Sequence, residues 1–309
     1  MPDRIVLALG GNALVSAPDR ISPADQARAI ATTAQHVAGL RAMGCEIVLT
    51  HGNGPQVGRA LETEEWSGDG FLLDALGADT QGGLGYALQQ ALGNELCRRG
   101  LDPRVVTVIT QVVVDPSDPA FTRPHKPIGR AFPEAEAKRL REHLGWRMVH
   151  EAGRGWRRVV PSPQPRKIIE AWAIRLLLES GAVVIGCGGG GVPVIESEFG
   201  LAGVSAVIDK DRASALLAVE LRARRLVFTT GVPVLYRGFG TPEARPIERL
   251  TAAEAEEMLR SGEFPPGSMG PKIEGAVAFL RRGGEEVRIT SPPFISRALS
   301  GEAGTLIVS

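Results

Sequence analysis

The sequence predicts an α/β protein: a three-layer αβα sandwich on a mostly parallel open sheet, with one protruding insertion. Apolar strand-like runs alternate with helical patterns along most of the chain, the signature of parallel strands joined by crossover helices on both faces. Three of these runs end in glycine-rich turns, Gly10-Gly11, Gly52-Asn53-Gly54 and Gly188 to Gly191. From about residue 112 to 165 the alternation stops and the composition changes, so a single domain over residues 1–309 with an inserted subdomain is expected.

Residues 4–9 form a continuous apolar strand that ends on Gly10-Gly11-Asn12. Ser22 and Pro23 are a cap and first-turn pair, starting a helix that runs to about Met43 and stops at Gly44. Residues 46–50 are a second strand, leading into HGNGPQVG (51–58). Residues 72–99 read as a helix broken by glycines, and 105–109 as the next strand. The insertion carries PSDPAFTRPHKPIG, a short charged helix from Pro133 to about His143, and GRGWRRVVPSPQPR; it is too long for a simple loop and reads as a lid at the sheet edge. A helix over 167–180 and a strand over 182–187 precede the four glycines. Residues 204–208 read as a short β-branched strand, Asp209-Lys210-Asp211 as a turn, and Arg212 onward as a helix with Ala213, Leu216, Leu217 and Glu220 at helical spacing. A strand over 226–229, a helix over 254–260, a capped helix within PPGSMGPKIEGAVAFLRRGG that ends at Gly283, and strands over 287–290 and 305–308 complete the chain.

The composition narrows the function. With 35 basic and 35 acidic side chains the net charge is zero, which argues against non-specific nucleic-acid binding. Cys45, Cys97 and Cys187 have no CxxC spacing and lie in or beside apolar segments, so reduced core thiols of a cytosolic protein are expected. No run reaches the ~18 apolar residues of a membrane span, and the N-terminus leads directly into a strand, so no signal peptide is expected.

Ligands of open parallel sheets bind outside the carboxyl ends of the strands. Asp209-Lys210-Asp211 sits at such a place, before a helix. An Asp there gains roughly 0.3–1 kcal/mol from the helix dipole, whereas a Lys opposes it. Lys272, opening a helix behind Met269-Gly270-Pro271, is a second lysine at the wrong helix end, and Lys126 sits between His125 and Pro127 in the insertion. Each alone fits a solvated surface lysine. Together with three turns whose N–H groups can approach an anion, they point to a polyphosphate ligand. Phosphoryl transfer asks a protein for positioning and positive charge rather than covalent help. GxxxxGK[ST] is absent, Gly52 to Gly58 spaces as GxGxxxG, and neither HExxH nor GxSxG occurs. His51 fits a site role or a turn hydrogen bond; Asp74, Asp79 and Gln81 fit a site or the polar face of a helix.

The segments GGNAL (10–14), THGNGPQVG (50–58), LDALGADTQGGLGYALQQ (73–90), KPIG (126–129), RRVVPSPQP (157–165), GGGGVPV (188–194), GVSAVIDKDRASALLA (203–218) and GSMGPKIEGA (267–276) resemble carbamate kinase, a branch of the amino-acid kinase family. They run in order over nearly the whole chain. The resemblance implies a carbamate kinase-like sandwich and a cytoplasmic homodimer. It implies reversible transfer between ATP and carbamate, giving ADP and carbamoyl phosphate with Mg²⁺, in arginine metabolism. An N-terminal lobe (about 1–200) would bind carbamate and the phosphoryl group, and a C-terminal lobe (about 201–309) the nucleotide. By position, Gly10, Gly11, Asn12, Gly52, Asn53 and Gly54 would hold the carbamate and the transferred phosphoryl group. Lys210 and Lys272 would neutralise the transition state, Asp211 would orient them, and Lys126 would reach over from the lid. Lys210, Thr230, Gly231, Tyr236, Met269, Gly270 and Lys272 would contact the nucleotide, with magnesium held mainly through its phosphates. The segment 229–247 departs from the family pattern at Pro233 and Gly238, which leaves the purine contacts open. Two other readings remain: a related kinase acting on a different small carboxylate or phosphate, and a non-catalytic nucleotide-binding regulator of the same fold.

Overall fold

A computed structural model describes residues 3–14, 22–67, 73–151, 153, 155–265 and 267–309, without the side chains of residue 12 and of residues 61–67. The strand β1 (Arg4–Leu9) is followed by α1 (Pro23–Ala42), β2 (Glu46–His51), α2 (Gly54–Ser67), α3 (Leu73–Arg98), β3 (Val105–Thr107) and β4 (Gln111–Val114). The insertion holds β5 (Lys126–Phe132), α4 (Glu134–Leu144), β6 (Met148–Glu151) and β7 (Gly155–Val160). Then come β8 (Pro165–Ile168), α5 (Ala171–Glu179), β9 (Val183–Ile185), β10 (Val192–Ser197), β11 (Gly200–Gly203), α6 (Lys210–Glu220) and β12 (Arg225–Thr229). The last stretch is β13 (Leu235–Arg237), β14 (Arg245–Ile247), β15 (Arg249–Thr251), α7 (Ala252–Arg260), α8 (Gly270–Arg281), β16 (Glu286–Thr290), α9 (Ile295–Leu299) and β17 (Thr305–Val308).

The main sheet has eight strands in the order β15-β17-β16-β12-β1-β2-β9-β3, and within it only the β16–β17 pairing is antiparallel. Successive side chains of a strand face opposite sides, and β1 shows what that does here. Ile5, Leu7 and Leu9 join a core with α1, α3 and α9, while Val6 and Ala8 join the core formed with α5, α6 and α8. Strands buried on both faces are continuous apolar runs, and that is why they were readable in the sequence.

The insertion is smaller than its expected limits of 112 and 165. Both ends belong to the body: β4 and β8 pair antiparallel in a second sheet, β11-β10-β4-β8, because Val112, Val114 and Ile168 bury in the core on the α6 side. The projecting part is the three-stranded sheet β5-β7-β6 with α4, around Phe132, Ala137, Leu140 and Trp146. It leans on α2 through Gly58: a Cβ there would lie 2.1 Å from Gly129 Cα, so only glycine lets helix and strand touch. Further corrections concern local readings. Residues 204–208 form no strand; the Val207 N–H bonds the Pro161 carbonyl outside any ladder, and β11 ends at Gly203. The helix expected over 167–180 is shortened to α5 because residues 165–168 pair as β8. Cys97 is exposed, unlike the buried Cys45 and Cys187. Leu72, the expected start of α3, lies outside the described residues. Among the described residues no helix is long and apolar enough to cross a membrane.

Candidate active site

The strands β12, β1, β2 and β9 are parallel neighbours, so the chain segments that follow them emerge at one edge of the sheet. After β1, Gly11 opens a single 3-10 turn, Gly11–Ala13, while the Gly10 N–H is already given to Thr229 Oγ1 at 2.7 Å. Gly10 therefore serves by close approach to β12 rather than as a free donor. After β2, Gly54 is the first residue of α2, and Asn53 Nδ2 donates to Thr80 Oγ1 on α3 at 2.7 Å. The Asn12 side chain lies outside the described residues.

The third turn joins the others together. Cys187, Gly189, Gly190 and Gly191 all have positive φ, between 48° and 101°. A Cβ at Gly188 would lie 2.5 Å from His51 Nε2, at Gly189 2.0 Å from Asn53 Nδ2, at Gly190 2.2 Å from the Ile208 carbonyl oxygen, and at Gly191 2.3 Å from Val112 Cγ2. Each glycine thus abuts a different element. The turn's own bonds use the N–H groups of Gly190 and Gly191, which donate to Cys187 and Gly188. Successive N–H groups in such a left-handed stretch form an anion-binding concavity.

The charges converge on the start of α6. Lys210 and Asp211 are its first two residues rather than a turn, and Asp209 is its N-cap, accepting from the Asp211 N–H at 2.9 Å. Asp211 is a bridge: Oδ1 accepts from Lys210 Nζ and Oδ2 from Lys272 Nζ, both at 2.9 Å. Lys272, in the first turn of α8, also donates to the Ser268 carbonyl at 3.3 Å. The Lys210 stem lies against Gly52, within 3.4 Å of where a Cβ would stand. Lys126, at the start of β5, reaches down from the insertion to Asp209 Oδ2 at 2.5 Å, so its charge is tied to the body by an ion pair. Three ammonium groups face two carboxylates, and the site carries excess positive charge. Burial pushes the Asp211 carboxyl upward, but the two lysines outweigh it and hold the pKa at about 2. Burial pushes Lys210 down, opposed by Asp211 and reinforced by Lys272.

Asp209 is the site residue that sequence reasoning passed over; as an N-cap it had a sufficient structural role already. His51 is fully buried with Nδ1 3.2 Å from the Gly52 carbonyl oxygen. Burial pushes its pKa down to about 4, with Lys210 adding to the effect and the Gly52 bond opposing it. The folded protein thus keeps His51 neutral, while the unfolded chain takes up the proton near the ordinary value of about 6.5. Stability associated with His51 is complete above that pH and falls as the pH drops toward 4, by about 3 kcal/mol in all. His36, also lowered by burial, acts in the same direction. Urea midpoints measured from pH 7 to pH 4 should show the fall, and His51→Asn should flatten the greater part of it. A wild-type midpoint constant over that range would contradict a buried neutral imidazole.

The residues expected to meet a nucleotide lie on the β12 side of the site. Thr230 and Gly231 follow β12 directly, and the Thr230 N–H bonds the Thr290 carbonyl at the end of β16. Tyr236, on β13, stacks at a tilt on Phe239, 5.9 Å between centroids. Met269 precedes α8, and Gly270 begins it. The structure brings Met269, Gly270 and Lys272 together at one helix start; Tyr236 stands in the separate β13-β14 hairpin.

A sequence model described as the amino acid kinase family matches residues 3–291. A carbamate kinase-like protein of Escherichia coli is 46% identical over 100% of this chain and 99% of its own. The carbamate kinase of Pyrococcus horikoshii is 44% identical over 99% of both chains. Among solved structures, carbamate kinase from Giardia lamblia bound to citric acid superposes with a TM-score of 0.93 at 38% identity, covering 99% of this chain and 98% of that one. The same enzyme bound to AMP-PNP gives 0.90 at 38% identity, with the same coverage.

Proposed function

The chain belongs to the amino acid kinase family, and from that membership we propose that it is a carbamate kinase, interconverting ATP plus carbamate with ADP plus carbamoyl phosphate. The observation that carries the reading is the Lys210–Asp211–Lys272 bridge beside three glycine turns, with Lys126 above it. A phosphoryl group between the turns would meet N–H donors from Gly11, Gly54, Gly188 and Gly189, the N–H groups of Gly190 and Gly191 being held within their own turn. A β-phosphate oxygen of ADP attacks the phosphorus of carbamoyl phosphate in line, and the bond to the carbamate oxygen breaks with its electron pair leaving on carbamate. Charge on the transferred group in the loose transition state falls to Lys210, Lys272 and Lys126. Magnesium would arrive on the nucleotide phosphates and offset their charge. Asp209 and Asp211 suit that arrangement, since hydrogen bonds from lysines and backbone N–H groups engage their oxygens. Lys210, Lys272, Thr230, Gly231, Met269 and Gly270 form the nucleotide side, with Tyr236 the outlying member. The working assembly in this reading is a cytoplasmic homodimer; exposed Tyr86, Ile109, Trp172 and Leu176, on elements around the edge strand β3, supply apolar surface for it.

The test is ATP formation from ADP and carbamoyl phosphate by the purified chain, with magnesium. Turnover with carbamoyl phosphate supports the assignment. Turnover only with another acyl phosphate would move the acceptor to a different small carboxylate, and nucleotide binding without turnover would favour a regulator.

A further inference from the structure

Gln81 stands in the N-terminal half of α3 and is 1% exposed. It clamps both backbone polar groups of one residue, Thr110. Its Oε1 accepts from the Thr110 N–H at 2.9 Å, and its Nε2 donates to the Thr110 carbonyl at 3.2 Å. Thr110, wholly buried in the link between β3 and β4, passes the restraint on. Its Oγ1 accepts from the Cys187 N–H at 3.0 Å and donates to the Val108 carbonyl at 2.8 Å. Its carbonyl accepts from the Val192 N–H at 2.8 Å. Cys187 and Val192 bracket the Gly188–Gly191 turn, so both ends of that turn hang on Thr110, and Thr110 hangs on Gln81.

We propose that Gln81 is a positioning residue for phosphoryl transfer, setting the Gly188–Gly191 turn through Thr110. The inference rests on the phosphoryl-transfer reading above. A turn of glycines in left-handed conformations has little stiffness of its own, yet it lies against His51, Asn53, Ile208 and Val112 with no room for a methyl group. Its position must be imposed from outside, and the amide is the side chain that can do it. One neutral acceptor and one neutral donor match a peptide C=O and N–H together. An ionised glutamate would set a carboxylate against the Thr110 carbonyl, and a leucine would leave the buried Thr110 N–H without a partner and its carbonyl with the Val192 N–H alone. The preceding residue, Thr80, holds Asn53, so adjacent positions of α3 fix the turns after β2 and β9 relative to each other. Misplacing a reacting group by about 1 Å costs on the order of 10²-fold in rate.

The experiment uses the full chain carrying Gln81→Leu, Gln81→Glu and Thr110→Val. For Gln81→Leu, ADP affinity by calorimetry should stay within about threefold, and the rate of ATP formation should fall by roughly 10- to 100-fold. Amide exchange over residues 187–192 should speed up while β1 and β12 keep their protection. Gln81→Glu should recover toward wild type as the pH falls, because a protonated carboxyl again offers a donor and an acceptor. A packing role alone would not produce that pH profile. Folded Gln81→Leu with wild-type rate and wild-type exchange overturns the proposal. Should Gln81→Leu fail to fold, a Gln81→Glu profile parallel to wild type, together with unchanged exchange in Thr110→Val, overturns it equally. If the wild-type chain forms no ATP, the kinase reading fails on its own, and the exchange arm still decides whether Gln81 sets the turn.

Discussion

Asp211→Asn is expected to lower turnover by ~10²–10³-fold, the scale of losing a preorganised charge in a phosphoryl-transfer site, and to destabilise the free protein by about 3–5 kcal/mol. Both effects follow from one carboxylate bridging two ammonium groups, Lys210 and Lys272, each 2.9 Å away. Asparagine offers one acceptor and no charge. Two neighbouring cations then remain in a buried place, where the loss of one partner leaves charge uncompensated. Lys210, already pushed down by burial, is pushed further. The variant should therefore regain activity as the pH is lowered, since acid restores the Lys210 charge. A bound polyphosphate supplies the missing anion, so ADP should raise the melting temperature more in Asp211→Asn than in wild type. Thermal melts with and without ADP, alongside turnover across pH, measure all of this. Near-normal turnover with an unchanged melting temperature would reduce Asp211 to an ordinary first-turn residue.

The parallel core was legible because its strands are apolar on both faces. β1, β2, β9 and β12 show as continuous hydrophobic runs, and glycine turns mark where the first three end. The second sheet was not legible. Its strands β8 and β11 read PRKI and GLAG, with proline, charge and glycine in place of an apolar pattern; β8 is held by the distant β4 and β11 by the turn-connected β10. Residues 204–208 misled in the other direction. VSAVI has strand composition, but beyond Val204, whose N–H still reaches the Pro193 carbonyl of β10, it meets Pro161, which lies outside any strand, through a single bond from Val207. β-propensity records fit to a half-buried surface and cannot say whether a partner edge is present.

The site divides in the same way. Lys210 and Lys272 stood out because a lysine at a helix N-terminus conflicts with the dipole, and the structure resolves the conflict with Asp211. Asp209 raised no conflict, so its second task of holding Lys126 was hidden behind its capping role. Gln81 and Thr110 are 29 positions apart, and a glutamine on a helix has no local mismatch to report. Sequence reasoning finds residues that break a local rule; residues that satisfy a local rule and serve a distant one need coordinates.

Lys126→Ala is expected to leave ADP affinity nearly untouched and to cut turnover by ~10²–10³-fold, about 2.7–4 kcal/mol of transition-state stabilisation. Lys126 begins β5, the first strand of the projecting sheet, and is paired across it with Val160. It enters the site from above, while Lys210 and Lys272 enter from the body. Its loss should spare the fold, because Asp209 still caps α6 through Oδ1. It does free Asp209 Oδ2, and a bare carboxylate beside a transferred phosphoryl group repels it. Two explanations of the lost rate must then be separated. Lys126 either neutralises Asp209 alone, or leaves it to meet the phosphoryl group in the transition state. The pair Lys126→Ala with Asp209→Asn decides. If neutralisation is the whole role, the double variant recovers most of the rate. If Lys126 meets the phosphoryl group, the double variant stays slow, and the two effects do not cancel in the cycle. Lys126→Arg should rescue poorly in that second case, since a planar guanidinium does not replace a compact ammonium. The measurements are kcat for the three single variants and the double, with ADP titrated by calorimetry. A Lys126→Ala rate within about threefold of wild type, under half a decade, would leave Lys126 as an ion-pair partner of Asp209 that ties the projecting sheet to α6.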